Sequence, residues 1–213
     1  MSAAESSPVP GVPRWPAGVA LLTIAGIYAA LPEQLAVGAR GTLLALVAVL
    51  LVPLLGAHLR GRHGLARTLA LGLTGLVTLA VMVSAVLLVV TLAGRATSAP
   101  ELLRDAALIW ITTVLVFAVW YWEIDGGGPV ERRADAHHSE DFLFPQMAAD
   151  TASASGWSPR FVDYLFLAFN TSTAFSPTDT AVLSRRAKVL MMAQSLTSLL
   201  VVAVLAARAV NTL

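Results

Sequence analysis

Long apolar runs separated by short polar joints dominate the chain, and their lengths predict helices rather than strands. Trp15-Pro16 opens the first run with proline in the first turn, where its missing N–H costs nothing, and Leu31-Pro32 closes it. A second run, from about Gly41 to His58, carries Pro53 and predicts a kinked helix. The third, Leu69 to Ala93, exceeds the roughly 20 apolar residues that a helix needs to cross hydrocarbon. The fourth, Leu102 to Trp122, ends in Trp120-Tyr121-Trp122, aromatic residues of the kind found at the headgroup boundary. A last run extends from Ala187 to Val210.

Residues 1 to 14, rich in Ser, Pro and Ala, read as a disordered tail, and residues 15 to 122 as a region of four transmembrane helices. Residues 123 to 158 form a polar loop too small for a core of its own. Ser158-Pro159 then reads as N-cap and first turn of a helix reaching about Ala174. Its apolar part is about 14 residues, or about 21 Å, against a hydrocarbon core of about 30 Å. The expected fold is therefore all-α: a polytopic membrane protein with five transmembrane helices and a short re-entrant helix before the last one. Residues 159 to 213 make up that helix, a polar strip and the final span.

Composition agrees with a membrane protein, since 57% of residues are hydrophobic and only 13% charged. The absence of cysteine removes disulfides, thiolate metal sites and cysteine nucleophiles together. Net charge is +1, with basic residues scattered in ones and twos, so a nucleic-acid partner is not expected. A single lysine, Lys188, and abundant alanine point to a GC-rich bacterial source. The apolar run from Ala17 to Leu31 lacks a good cleavage point and is read as a retained helix rather than a signal peptide.

At the end of the short helix and beyond it lie Thr171, Ser172, Thr173, Ser176, Thr178, Asp179 and Thr180. A helix that stops inside the membrane aims the negative end of its dipole at the residues beyond it, and hydroxyl and carboxylate oxygens suit hard cations. A hydroxyl-rich turn capping two helices explains the same residues, and spacing alone slightly favours it.

The order helix, short helix, strip, helix resembles the pore domain of potassium channels. Thr171-Ser172-Thr173-Ala174-Phe175-Ser176-Pro177-Thr178-Asp179 lies on the T-x-T-T-V-G-Y-G-D strip of that family without a gap, matching it at Thr171, Thr173 and Asp179. Ser176 and Thr178 replace the filter glycines and Pro177 the aromatic, which opposes a stack of inward carbonyls and hence potassium selectivity. The last hundred or so residues are similar to a family of uncharacterised bacterial integral membrane proteins through Asp179-Thr180-Ala181-Val182-Leu183-Ser184-Arg185-Arg186, "WYWEIDGGGP" and "DFLFPQ". That resemblance implies a pore-like architecture in the bacterial cytoplasmic membrane and brings no activity with it. The channel resemblance also implies that Asp179 braces the strip, so pairing with Arg185 or Arg186 is expected.

Gln194, Thr197 and Ser198 share a face of the last helix, which suits either a polar pore lining or ordinary interhelical hydrogen bonds. Glu123 and Asp125, directly after the aromatic belt, are expected near the mouth of any path. His137, His138, Glu140 and Asp141 carry metal-ligand side chains, yet adjacent histidines diverge, and a solvated loop is the better reading. No phosphate-cradling or catalytic motif is present, so neither a cofactor nor an enzyme activity is expected.

With five spans and one re-entrant helix, Arg14, Arg60, Arg62, Arg67, Arg132, Arg133, Arg160, Arg185, Arg186 and Lys188 share one side. Arg40, Arg95, Arg104 and Arg208 take the other. Basic residues favour the cytoplasm, so the strip would enter from inside, opposite to a potassium channel. The functional expectation is a channel-like protein, a homo-oligomer and, as a channel, a tetramer, passing monovalent cations with weak selectivity. The alternative is a non-conducting scaffold or sensor that binds a partner through residues 123 to 158.

Overall fold

The computed structural model describes residues 15–36, 41–93, 98–129, 131–134, 140–148, 157–173 and 179–211. Six helices carry the fold: α1 (Trp15–Ala30), α2 (Thr42–Leu59, with Pro53 inside it), α3 (His63–Ala93), α4 (Ala99–Ile124), α5 (Phe161–Thr173) and α6 (Arg185–Asn211). Single helical turns occupy Glu131–Ala134 and Pro145–Ala148. Two short strands, β1 (Phe142–Leu143) and β2 (Ala181–Val182), pair antiparallel with Phe142 opposite Val182.

Local chemistry sets the helix starts. Glu101 accepts a hydrogen bond from the Ser98 backbone N–H at 3.2 Å with Pro100 in the first turn of α4, a start that apolar periodicity alone misses by three residues. Asp163 accepts from the Arg160 N–H at 2.7 Å, so α5 begins two residues after Pro159 and not at Ser158-Pro159. Ser184 caps α6, its Oγ accepting from the Ala187 N–H at 3.1 Å.

Three stretches, Gly64–Val90, Pro100–Gly127 and Arg185–Ala207, are long and apolar enough to cross a membrane, which supports a membrane protein. The apolar stretches of the first two helices, Pro16–Ala30 and Ala45–Leu54, are shorter, so three of the five expected spans have the required length among the described residues.

Helix α4 is the centre of the bundle, packed against α1, α3, α5 and α6, with Val116, Phe117, Tyr121 and Trp122 in the core. Helix α5 buries Phe161, Tyr164, Leu167, Ala168 and Ser172, spaced three and four apart, and turns Val162, Phe166 and Phe169 outward. It runs back along α4: the Phe161 ring lies 5.9 Å from that of Trp122, and the Phe169 ring 5.6 Å from that of Trp110. The chain then returns to the end at which α5 began, since Arg186 at the start of α6 donates to the Ile124 carbonyl at 3.2 Å.

Candidate functional site

The site grows from the last turn of α4. Gly126, Gly127 and Gly128 hold φ of 54°, 82° and 101°, a left-handed path that side-chain-bearing residues resist. The Gly128 N–H closes the turn on the Asp125 carbonyl at 2.9 Å, and a β-carbon at Gly128 would sit 3.1 Å from the Glu123 carbonyl and 3.5 Å from Arg67 Nε. Reversing so tightly, the chain brings Arg132 back over the helix it has just left. Its Nη1 donates to the carbonyls of Trp122 at 2.9 Å and Asp125 at 2.6 Å, and its guanidinium lies 5.1 Å from the centre of the Tyr164 ring.

Asp125, fully buried, is the hub. Its Oδ1 accepts from the backbone N–H groups of Asp141 at 2.8 Å and Phe142 at 3.2 Å, and its Oδ2 from the Tyr164 hydroxyl, with Arg132 Nη1 3.8 Å away. Asp141, also buried, takes a two-pronged bond from Arg186, with Nε to Oδ1 and Nη2 to Oδ2 both at 2.7 Å. Its carbonyl accepts from the Leu183 N–H at 2.9 Å, extending the β1–β2 pairing. One cluster of two carboxylates, two guanidiniums and a phenol thus ties together the ends of α4, α5 and α6. Burying the Asp125 and Asp141 carboxylates costs several kcal/mol each, which the hydrogen bonds they accept offset, whereas the Arg186 side chain is 54% exposed.

Three expectations change here. Glu123 and Asp125 are buried and do not stand at an aqueous mouth, because the three glycines fold the next stretch of chain over them. Arg186 is held by Asp141 rather than by Asp179, which is exposed; the strand pairing places Asp141 beside the start of α6. Arg185, one position earlier, points outward.

Deeper in the bundle, Gln194 grips α5. Its Nε2 donates to the Ala168 carbonyl at 2.6 Å and to Ser172 Oγ at 2.7 Å, while its Oε1 accepts from the Tyr121 hydroxyl. Gln194, Thr197 and Ser198 are all buried within the chain, so this polar face of α6 meets α4 and α5 and lines no path within one copy. Thr171 and Thr173 spend their hydroxyls on backbone carbonyls of their own helix, Thr171 on Leu167 at 2.8 Å and Thr173 on Asn170 at 3.1 Å. Ser176, Pro177 and Thr178 lie outside the described residues, as do His137 and His138.

Glu140 is half-buried next to this cluster, and burial first, then the neighbouring Asp125 charge, raises its carboxyl above the usual range. Among the described residues no group of three His, Asp or Glu is placed to hold a metal. Sequence reasoning missed Tyr164, and it named Asp141 as a loop acid and Ser172 as a strip hydroxyl without finding their partners, Arg186 and Gln194. Only Asp141 left a signal, being an acid next to the apolar Phe142-Leu143-Phe144. The chain matches no family model, and comparison with curated proteins and with solved structures finds no significant match.

Proposed function

We propose that this chain is a channel-like, multi-pass protein of the bacterial cytoplasmic membrane, with five spans and α5 dipping in and out from one side. In this reading four copies surround a path lined or plugged by Thr171, Thr173, Ser176, Pro177, Thr178 and Asp179, which passes monovalent cations with weak selectivity. The observation that carries it is the course of α5. Its 13 residues extend about 20 Å, short of the about 30 Å of hydrocarbon, and the chain begins and ends this excursion at the same end of α4. With Arg185 at the edge of the hydrocarbon, Gln194, nine positions and about 14 Å further along α6 at about 1.5 Å per residue, would hold the end of α5 near mid-bilayer depth. Irregular backbone at that depth requires protein or water around it.

The alternative, a scaffold that binds a partner through residues 123 to 158, has less to draw on, because Phe142 and Phe144 of that loop are buried against α5 through Tyr164. Cation flux through purified protein in liposomes tests the proposal. Flux with little discrimination between sodium and potassium, reduced by Thr178→Ala with Asp179→Asn, is expected. A folded oligomer that passes no cation, or one strongly selective for potassium, overturns it.

A further inference from the structure

Helix α6 leaves one side uncovered. Val189, Met192, Leu196 and Leu199 there are between 57% and 67% exposed. Arg185 and Lys188, both exposed, stand at the head of the same side. At about 3.6 residues per turn, these six positions fall within one arc of about 100°. From Val189 to Leu199 the stripe runs about 15 Å at about 1.5 Å per residue, half of the about 30 Å hydrocarbon core and so the depth of one leaflet. Beyond it the same arc continues in Ala203 and Ala207. Among the described residues neither Arg185 nor Lys188 has an acidic partner, whereas the next cation, Arg186, is fully engaged with Asp141 and the Ile124 carbonyl.

We propose that this side of α6 seats an anionic phospholipid, with the phosphate between Arg185 and Lys188 and an acyl chain along Val189, Met192, Leu196 and Leu199. These two cations, without an acidic partner among the described residues, supply charge complementary to a phosphate, and the bulky stripe below them is as long as one leaflet is deep. A second copy meeting this side face to face would set like charges against each other, which disfavours it as the occupant. The inference rests on α6 lying in a bilayer and holds whether or not the strip conducts.

Because the chain has no cysteine, Leu196→Cys gives one thiol for a fluorophore. The labelled full-length protein is placed in phosphatidylcholine vesicles with and without phosphatidylglycerol, and one lipid at a time carries brominated chains that quench the fluorophore. Brominated phosphatidylglycerol should quench in preference to brominated phosphatidylcholine. At about 1 kcal/mol per cation near a membrane surface, Lys188→Gln should lower that preference about 5-fold and Arg185→Gln with Lys188→Gln about 30-fold. The single variant gives the answer if the double variant does not fold. An unchanged preference in Lys188→Gln overturns the proposal. So does oxidation of the unlabelled Leu196→Cys protein to a disulfide-linked dimer in the membrane, which would mean that a second copy covers the stripe.

Discussion

Replacing Arg186 by glutamine removes the cation from a pair whose acid cannot be rehydrated. The Asp141 side chain is 1% exposed and that of Arg186 54%, so the two partners are not equivalent. In Arg186→Gln the Asp141 carboxylate keeps its burial and loses both 2.7 Å bonds, and the Asp125 carboxylate remains nearby. Stranding a buried charge typically costs about 3–5 kcal/mol, and because water reaches the Arg186 side of the pair we take the lower end, about 3 kcal/mol. Asp141→Asn should cost less, about 1–2 kcal/mol, since the guanidinium left behind is half in water and keeps the Ile124 carbonyl. Arg185→Gln should fall within about 0.5 kcal/mol of the parent in detergent without anionic lipid, as expected of an exposed side chain. For a chain of this size about 2–4 °C of melting temperature corresponds to 1 kcal/mol, giving a drop of about 6–12 °C for Arg186→Gln. Tryptophan fluorescence during heating in detergent is a suitable readout because Trp122 and Trp157 flank the cluster. Equal losses in Arg186→Gln and Arg185→Gln, or a loss in Asp179→Asn as large as that in Arg186→Gln, would refute the assignment of Asp141 as the partner.

Gln194→Leu should lower stability by about 1–2 kcal/mol, since three interhelical hydrogen bonds of about 0.6 kcal/mol each are lost, and loosen α5, read as faster proteolysis near residue 173. Unchanged proteolysis would mean that α5 is held by packing alone. Gly128→Ala should cost about 1–3 kcal/mol, because it forces a β-carbon to φ 101° against the Glu123 carbonyl; a melt equal to the parent would contradict this. Glu140 has a folded-state pKa above its unfolded one, so its favourable contribution is full below the unfolded value of 4.5 and is lost as pH rises through the folded value. Glu140→Gln should therefore melt higher than the parent at pH 7 and lose that advantage near pH 4, as measured by melts across pH.

The long helices are legible in the sequence because apolar length is a local property, and α5 is legible because Pro159 and a polar strip bound a run too short to cross. The start of α3 is not: Arg67 looks like a loop residue, yet it lies inside the helix beside Gly128, and apolar content places the start at Leu69 rather than His63. The Asp125 cluster joins residues up to 62 positions apart, from Ile124 to Arg186, and no periodicity encodes which distant partner an acid will meet. The polar face of α6 is legible as one face while its neighbour is not, because helical spacing states which residues point together and not what they point at.

Whether the chain enters and leaves on one side around α5 can be read by single-thiol labelling, since the sequence contains no cysteine. Ser158→Cys and Asp179→Cys, exposed before and after the excursion, are compared with Glu101→Cys at the opposite end of α4, using an impermeant maleimide on intact cells and on inverted membrane vesicles. We predict that the first two react from the same side, the cytoplasmic one, and the third from the other. Reaction of Ser158→Cys and Asp179→Cys from opposite sides would make α5 part of a complete crossing and contradict the account.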